Sequence, residues 1–386
     1  MSPHVTKFIR DLFNTNDAIP LHAPAFGELE TALVVDTLTT TFVSSVGQYV
    51  DDFERGVREY TGTSQAVATV NGTAALHTAL KLSGVQAGDF VITQALTFVA
   101  TCNAIHHLGA TPVFVDVSEA TLGLCPNALD SYLNEHAKLT ADGCVDTKSG
   151  RPIRAVVPMH TFGHPVHLRE IHAICNQWQL ELIEDAAESL GSFYDGQHTG
   201  TIGRFAALSF NGNKIITTGG GGMLLCRDQA SGAQAKHLTT TAKVAHPYEF
   251  YHDQAGFNYR MPNLNAALGC AQLTRLPSYL TAKRKLANAY RTFFADSDYR
   301  FVDEPAHGQS NFWLNAVVCA DKASRDEFLV NLNRAGIMCR PVWQLMHRLP
   351  MYAHCPAGNL QVSEYLESRL VNLPSSPIIG QQHEPT

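Results

Sequence analysis

A chain of 386 residues that is 45% hydrophobic carries enough apolar surface for a large core, and its length suits two domains. The net charge of -7 is spread without a basic run, which argues against nucleic acid or an anionic membrane as partner. Nine cysteines stand singly with no CxxC pair, a pattern of reduced thiols and not of a disulfide or zinc framework.

In chain order, the opening MSPHVTKFIRDLFN lacks the apolar core of a signal peptide, and no apolar run reaches membrane-spanning length. A soluble, cytoplasmic protein is the expectation. From about residue 60 to 226, short Val- and Ile-rich runs alternate with amphipathic stretches. AVATV (66–70) reads as a strand, and NGTAALHTALKLSG after it as a helix with Ala75, Leu76, Ala79, Leu80 and Leu82 on its buried face. FVIT precedes TFVATCNAIHHLGA, and TPVFVDV precedes a polar helical segment. HAKLTADGCVDTKSGRP (136–152) reads as a surface loop. RAVVPM then leads into HLREIHAICNQWQ, and LELIED into a short helix at AAESLGS. Strands separated by helices predict an α/β fold with a mostly parallel sheet covered on both faces.

A second region begins near residue 228. MPNLNAALGCAQLTRL and YLTAKRKLANAYRTFF predict two consecutive helices. Ser324 with Glu327 forms a capping-box pattern ahead of an apolar face of Phe328, Leu329 and Leu332, and Gly336 suits that helix's end. The expected division is a large domain over 1–250, N-terminal segment included, and a smaller α+β domain over 251–386.

In doubly wound sheets, ligands bind beyond the carboxyl ends of the strands. Asp185 closes LELIED, Gly72-Thr73-Ala74 follows AVATV, and Ser209 lies in FAALSF just before Lys214. Lys214 lies in LSFNGNKIITTGGGGML, where the glycines follow the lysine, so this is not a P-loop. Gly72 and Thr73 at a helix start offer free N–H groups to a phosphate, or they form an ordinary strand–turn–helix connection. Asp185 on a buried strand needs a cationic or strongly hydrogen-bonding partner, or serves as a helix N-cap. Together these residues meet the demands of pyridoxal 5'-phosphate: a lysine for its aldehyde, an acid beside its ring nitrogen and a cradle for its phosphate. On this view the glycines after Lys214 let the chain pass close to the cofactor.

The order GTAAL, TFVATCNAIHHLGATPVFVDV, EDAAES, SFNGNK, GGGGM and NYRMPNLNAALG resembles the DegT-type sugar-nucleotide aminotransferases, pyridoxal phosphate enzymes of fold type I. The likeness spans Leu21 to Pro377, and TFVSSVGQYVDDFE and VATVNGTAALH resemble the LegC branch. The resemblance implies amination at C4 of a UDP-linked 4-keto-6-deoxy-N-acetylhexosamine, with L-glutamate as donor, on the way to bacillosamine or legionaminic acid. It implies that Lys214 captures the cofactor aldehyde, Asp185 pairs with the ring nitrogen and Phe98 stacks on the ring. Gly72, Thr73, Ala74 and Ser209 would hold the phosphate. Asn258 would reach the phosphate of a neighbouring subunit, making a homodimer with shared active sites. Glu188 falls where many members carry Gln or His near the ring O3′, and a carboxylate beside a phenolate needs a proton or a water between them. On pattern alone, Phe98 also suits a helix core and Asn258 a loop. Amination at C3, a sugar dehydratase (relatives of that kind carry histidine at the lysine's place) and a non-catalytic cofactor-binding regulator stay open as alternatives. Further sugar-pocket candidates are His160 and the segment Val43–Gly47, although a satisfied core histidine is the plainer reading of His160. Arg260 and His347 suit either substrate phosphates or ion pairing at an interface.

Overall fold

The computed structural model describes residues 2–377; residues 378–386 of the expected second domain lie outside them. Seven strands form the central sheet: β1 (Gln65–Thr69), β2 (Phe90–Gln94), β3 (Thr111–Val115), β4 (Ile153–Val157), β5 (Glu181–Asp185), β6 (Phe205–Ser209) and β7 (Gly222–Cys226). Their spatial order is β1-β7-β6-β5-β4-β2-β3, and every neighbouring pair is parallel except the two made by β7. Because β7 runs against the others, it begins at the edge where they end. Gly222 therefore stands between Thr69 and Ser209.

Side chains alternate across the sheet with period two. One face presents Val67, Val91, Ala155, Ile183, Ala207 and Leu224 to a layer that includes α4 (Gly72–Leu82), α5 (Val99–His107) and α8 (Gln229–Thr239). The other face is divided. Ala68, Ala206, Leu208 and Met223 meet α3 (Gln48–Thr61) and α9 (Asn263–Phe294), while Ile92, Val113, Val156 and Leu182 meet α6 (Pro126–His136) and α7 (Leu168–Gln177). The sheet is mostly parallel and covered on both faces, as the alternating pattern implies.

A second, antiparallel sheet has the order β8 (Arg300–Phe301), β9 (Asn315–Val318), β11 (Leu370–Leu373), β10 (Arg340–Pro341). With α10 (Lys322–Arg334) and α11 (Gln361–Glu367) it makes a smaller α+β unit. Helix α1 (Ser2–Phe13) packs here: Val5 and Ile9 share a core with Tyr290, Phe294, Phe328 and Leu332. Ile19 extends the contact, donating its N–H to Gly336 (2.9 Å) and accepting one from Met338 (2.9 Å). The N-terminal segment thus sits against the C-terminal unit, and α8, beyond residue 228, packs on the first sheet. The two units are also stapled by Asp116, whose carboxylate accepts the N–H groups of Val362 (2.9 Å) and Ser363 (2.7 Å) at the start of α11.

Four local expectations change. The two helices of 261–294 are one, Asn263–Phe294, which runs through Pro277. A proline in a helix interior costs about 3 kcal/mol, but buried Leu276, Tyr279, Leu286 and Tyr290 lie on both sides of it. Each such large side chain contributes roughly 1.5–3 kcal/mol on burial, so packing outweighs the break. No helix follows Asp185, because its Oδ1 accepts the Ala187 N–H (3.2 Å) and closes a turn instead. The loop 136–152 contains an antiparallel hairpin, Ala137–Thr140 with Gly143–Asp146, turning at Ala141-Asp142, with Gly143 after the turn at φ +106°. Finally, α10 is capped by Asp321, which accepts the Ser324 N–H (2.8 Å); Ser324 is capped, not capping. Among the described residues no helix is long and apolar enough to cross a membrane.

Candidate active site

The carboxyl edge of the first sheet gathers the side chains singled out by sequence. After β1, Asn71 leaves the strand in an extended conformation and caps α4, its Oδ1 accepting the Ala74 N–H (2.8 Å). The first-turn amides of Gly72 and Thr73 have no acceptor among the described residues, and they point the helix's positive end outward. Gly72 is packed so closely on the end of β6 that a Cβ there would lie 3.0 Å from the Ser209 Cβ. After β6 the chain turns through Asn211, whose carbonyl accepts the Lys214 N–H (2.9 Å), and the lysine side chain reaches back over the sheet edge. After β2, Phe98 forms the N-terminal boundary of α5. These elements enclose a cavity of about 380 Å³.

Asp185, at the end of β5, is nearly buried on the cavity wall. Its Oδ2 accepts a hydrogen bond from Thr101 Oγ1 (2.6 Å) and its Oδ1 the bond from Ala187. Burial raises its pKa; the Thr101 hydroxyl, the Ala187 amide and the charge of Lys214 oppose that rise. Lys214 Nζ lies 3.2 Å from Glu188 Oε1 and 4.0 Å from the centroid of the Trp313 ring, between a carboxyl group and an aromatic face. Glu188 Oε2 accepts the Phe162 N–H (2.9 Å). Burial lifts the Glu188 carboxyl to about 7, against the pull of Lys214 and the Phe162 amide and with Asp185 adding to the rise.

Of the nine residues named from sequence, the cavity is lined by Gly72, Thr73, Phe98, Asp185, Glu188, Ser209 and Lys214. Phe98 is 46% exposed there, which removes the core reading. Ala74 is turned away: it is buried, and its amide is taken by Asn71. Asn258 is outside this cavity, on the surface, with Oδ1 accepting from Arg260 Nε (3.1 Å). The glycine run is not beside the cavity either. A Cβ on Gly222 would meet the Asn71 carbonyl carbon at 2.4 Å and the Gly72 nitrogen at 2.6 Å, so that glycine lets β7 pass behind the α4 turn. His160 is a satisfied core residue, bonded to Glu184 Oε2 (2.9 Å) and accepting the Val166 N–H (3.2 Å). Arg260, His347 and the segment Val43–Gly47 do not line the cavity. Sequence reasoning missed Thr101 and the two tryptophans of the wall, Trp313 and Trp343. With only three Trp in the chain, their rarity was an available signal.

This residue set fits pyridoxal phosphate. Unpaired helix-start amides suit its phosphate, a glycine holds the cradle open where a Cβ would crowd it, a buried carboxylate suits its ring nitrogen, and a lysine amine suits its aldehyde. The fold and the site together define a pyridoxal 5'-phosphate-dependent enzyme of fold type I. Comparison makes the assignment closer. Residues 24–384 match the model of the DegT/DnrJ/EryC1/StrS aminotransferase family, and the chain belongs to it. It is 36% identical over 364 residues to the putative pyridoxal phosphate-dependent aminotransferase EpsN of Bacillus subtilis, covering 92% of this chain and 90% of that one. It is 34% identical over 362 residues to GDP-perosamine synthase of Caulobacter vibrioides, covering 92% and 93%. Among solved structures, the aminotransferase TlmJ of Streptoalloteichus hindustanus superposes with a TM-score of 0.83 at 29% identity, over 92% of this chain and 93% of that one. The protein is a pyridoxal phosphate-dependent transaminase of this family.

Proposed function

We propose that this transaminase moves the amino group of L-glutamate to C4 of a UDP-linked 4-keto-6-deoxy-N-acetylhexosamine, for a bacterial surface glycan. The observation that carries the chemistry is the convergence of Lys214, Asp185, Ser209 and the free Gly72 and Thr73 amides on one cavity. When bound, pyridoxal phosphate supplies an electron sink for the carbon that loses its proton. The chain's own residues do the rest. Gly72, Thr73 and Ser209 bind the phosphate, and Asp185, fixed by Thr101, holds positive charge at the ring nitrogen. Lys214 Nζ carries a proton from the amino-acid α-carbon and delivers it within the cavity. Phe98, Trp313 and Trp343 wall the cavity and exclude water. Charge-assisted hydrogen bonds like those of Asp185 are worth about 1.5–3 kcal/mol.

The UDP-linked sugar rests on the resemblance of TFVSSVGQYVDDFE and VATVNGTAALH to the LegC branch. A GDP-linked keto-sugar is the second reading, favoured by the 34% identity to a GDP-perosamine synthase. We also propose a homodimer, in which Asn258 serves the neighbouring site. The large apolar side chains left exposed along α2 (Glu28–Thr39) and around the hairpin at 243–252 support it. The division of the chain near residue 250 is likewise a proposal, with the N-terminal helix docked on the second unit.

Borohydride reduction of the yellow protein followed by peptide mapping is expected to label Lys214, and Lys214→Ala to lose turnover. A label elsewhere, or full transamination by the variant, overturns the cofactor chemistry. Incubation with glutamate and UDP-, GDP- or TDP-linked 4-keto-6-deoxy sugars, with NMR of the product, separates the readings. Preference for a ketone without a nucleotide overturns both.

A further inference from the structure

The two carboxyl oxygens of Glu188 have different partners. Oε2 accepts the Phe162 N–H, which is aimed at it by a left-handed backbone (φ +56°). The side chain of Glu188 is 1% accessible, and Asn311 Nδ2 donates to the Glu188 carbonyl (2.9 Å), so the residue is pinned at both ends. Oε1 therefore faces Lys214 Nζ across 3.2 Å, with the Trp313 ring on another side of the nitrogen.

Resting on the reading that Lys214 captures the cofactor aldehyde, we propose that Glu188 is a second catalytic residue, the base and acid that exchanges a proton with Lys214 Nζ at Oε1. In the forward step an N–H bond of the ammonium breaks and an O–H bond forms at Oε1. The electron pair left on Nζ would then be free to bond the aldehyde carbon, whose oxygen would leave as water with the two protons remaining on the nitrogen. On release, Oε1 returns the proton to the nitrogen. No charge leaves the site, and no proton has to cross to solvent.

The surroundings support this. Burial holds the Glu188 carboxyl at about 7, close to where a base and acid in one group works best. Asp185, at the end of β5, is the other carboxylate facing the pair, and it is occupied by Thr101 and Ala187. His22, from the N-terminal segment, faces Lys214, and burial together with the charges of Lys283 and Lys214 keeps it neutral. His160, just beyond β4, and Glu184, on β5, are bonded to each other.

The test uses the full chain freed of cofactor, mixed with pyridoxal phosphate at a series of pH values. The growth of visible absorbance is followed, and the site of attachment is mapped after borohydride. In the wild type the capture rate is expected to rise through an inflection near pH 7 and then level. Glu188→Gln keeps an acceptor for the Phe162 N–H. It is expected to capture about a hundredfold more slowly at neutral pH, the usual size of a general acid–base contribution, and to lack that inflection. A role for Glu188 as mere scaffold would scale the profile without changing its shape. The same inflection in the variant overturns the proposal. Difference infrared spectra of the cofactor-free chain give a second readout. A protonated-carboxyl band should disappear across pH 7, be absent in Glu188→Gln and titrate at higher pH in Lys214→Met; a wild-type chain without the band also overturns the proposal. If the label maps away from Lys214, the functional reading falls, and the infrared arm still decides whether Glu188 titrates against that lysine.

Discussion

Thr101 decides how firmly Asp185 can hold a charge. Burial raises the pKa of the Asp185 carboxyl, and the 2.6 Å bond from Thr101 Oγ1 is the first of the contacts that oppose that rise. Thr101→Val preserves shape and removes the donor. The loss of one such bond costs about 1 kcal/mol, and the carboxylate is less able to stand opposite a cation. Affinity for pyridoxal phosphate is expected to fall about five- to tenfold, measured by fluorescence titration of the cofactor-free chain with its circular dichroism unchanged. Unaltered affinity would mean that Asp185 takes its charge from elsewhere. Asp185 and the Gly72-Thr73 turn were legible because they stand at strand ends, and Lys214 because it follows another strand end and precedes the glycine run. Thr101 was not: it meets Asp185 across 84 residues of sequence, and nothing in TFVATC distinguishes one threonine from the other. Glu188 was legible as a neighbour of the site, but its partner was not, since AAESLGS has the pattern of a helix and folds as a turn.

At the level of elements, β7 carries the constraint that the glycine run hides. Gly222 opens an antiparallel strand wedged between β1 and β6, with the Asn71–Gly72 peptide against its Cα. A methyl group there is 2.4 Å from backbone atoms that no rotamer change can move. Gly222→Ala is therefore expected to push the α4 turn out of place and weaken pyridoxal phosphate binding by tenfold or more, a cost of about 1.4 kcal/mol. At Gly220 a Cβ meets nothing within 4 Å, and Gly220→Ala should bind like the wild type. Equal binding by the two variants would place the glycine requirement outside the cofactor turn. The strands of the sheet were readable from their Val and Ile runs, and α4 and α5 from their apolar periodicity. The unbroken α9 was not, because Pro277 is a local stop signal and the buried face that overrides it is supplied by α2, α3 and the second sheet.

For the whole molecule, the sequence marked two bodies but not their membership. Val5, Ile9 and Ile19 carry no label saying which core they enter; only the folded chain brings them to Phe328 and Ile337. The same blindness applies to surfaces. Helix α2 buries Glu30 and Thr37 yet exposes Leu29, Val35 and Leu38, an inversion that is hard to read from ELETALVVDTLT. Glu30 is held inward by Gln272 (2.8 Å) and the Gly27 amide (2.8 Å), which turns the aliphatic side chains outward. Together with Phe42 and Val46, and with Tyr248 and Phe250 around the hairpin, they leave more large apolar side chains in water than isolated surface residues account for. A second copy of the chain is the occupant proposed for this surface. Leu38 is 57% exposed, so Leu38→Glu should leave the isolated chain's core intact while placing a charge in the apolar contact. The wild type is expected to scatter light as a dimer and the variant as a monomer at micromolar concentration. If Asn258 reaches the neighbouring cavity, the variant also binds pyridoxal phosphate more weakly although no residue of its own cavity has changed. A wild type that is monomeric, or a Leu38→Glu dimer of unchanged stability, would move the interface off α2, and unchanged cofactor affinity in a monomeric variant would return Asn258 to the role of a surface loop residue.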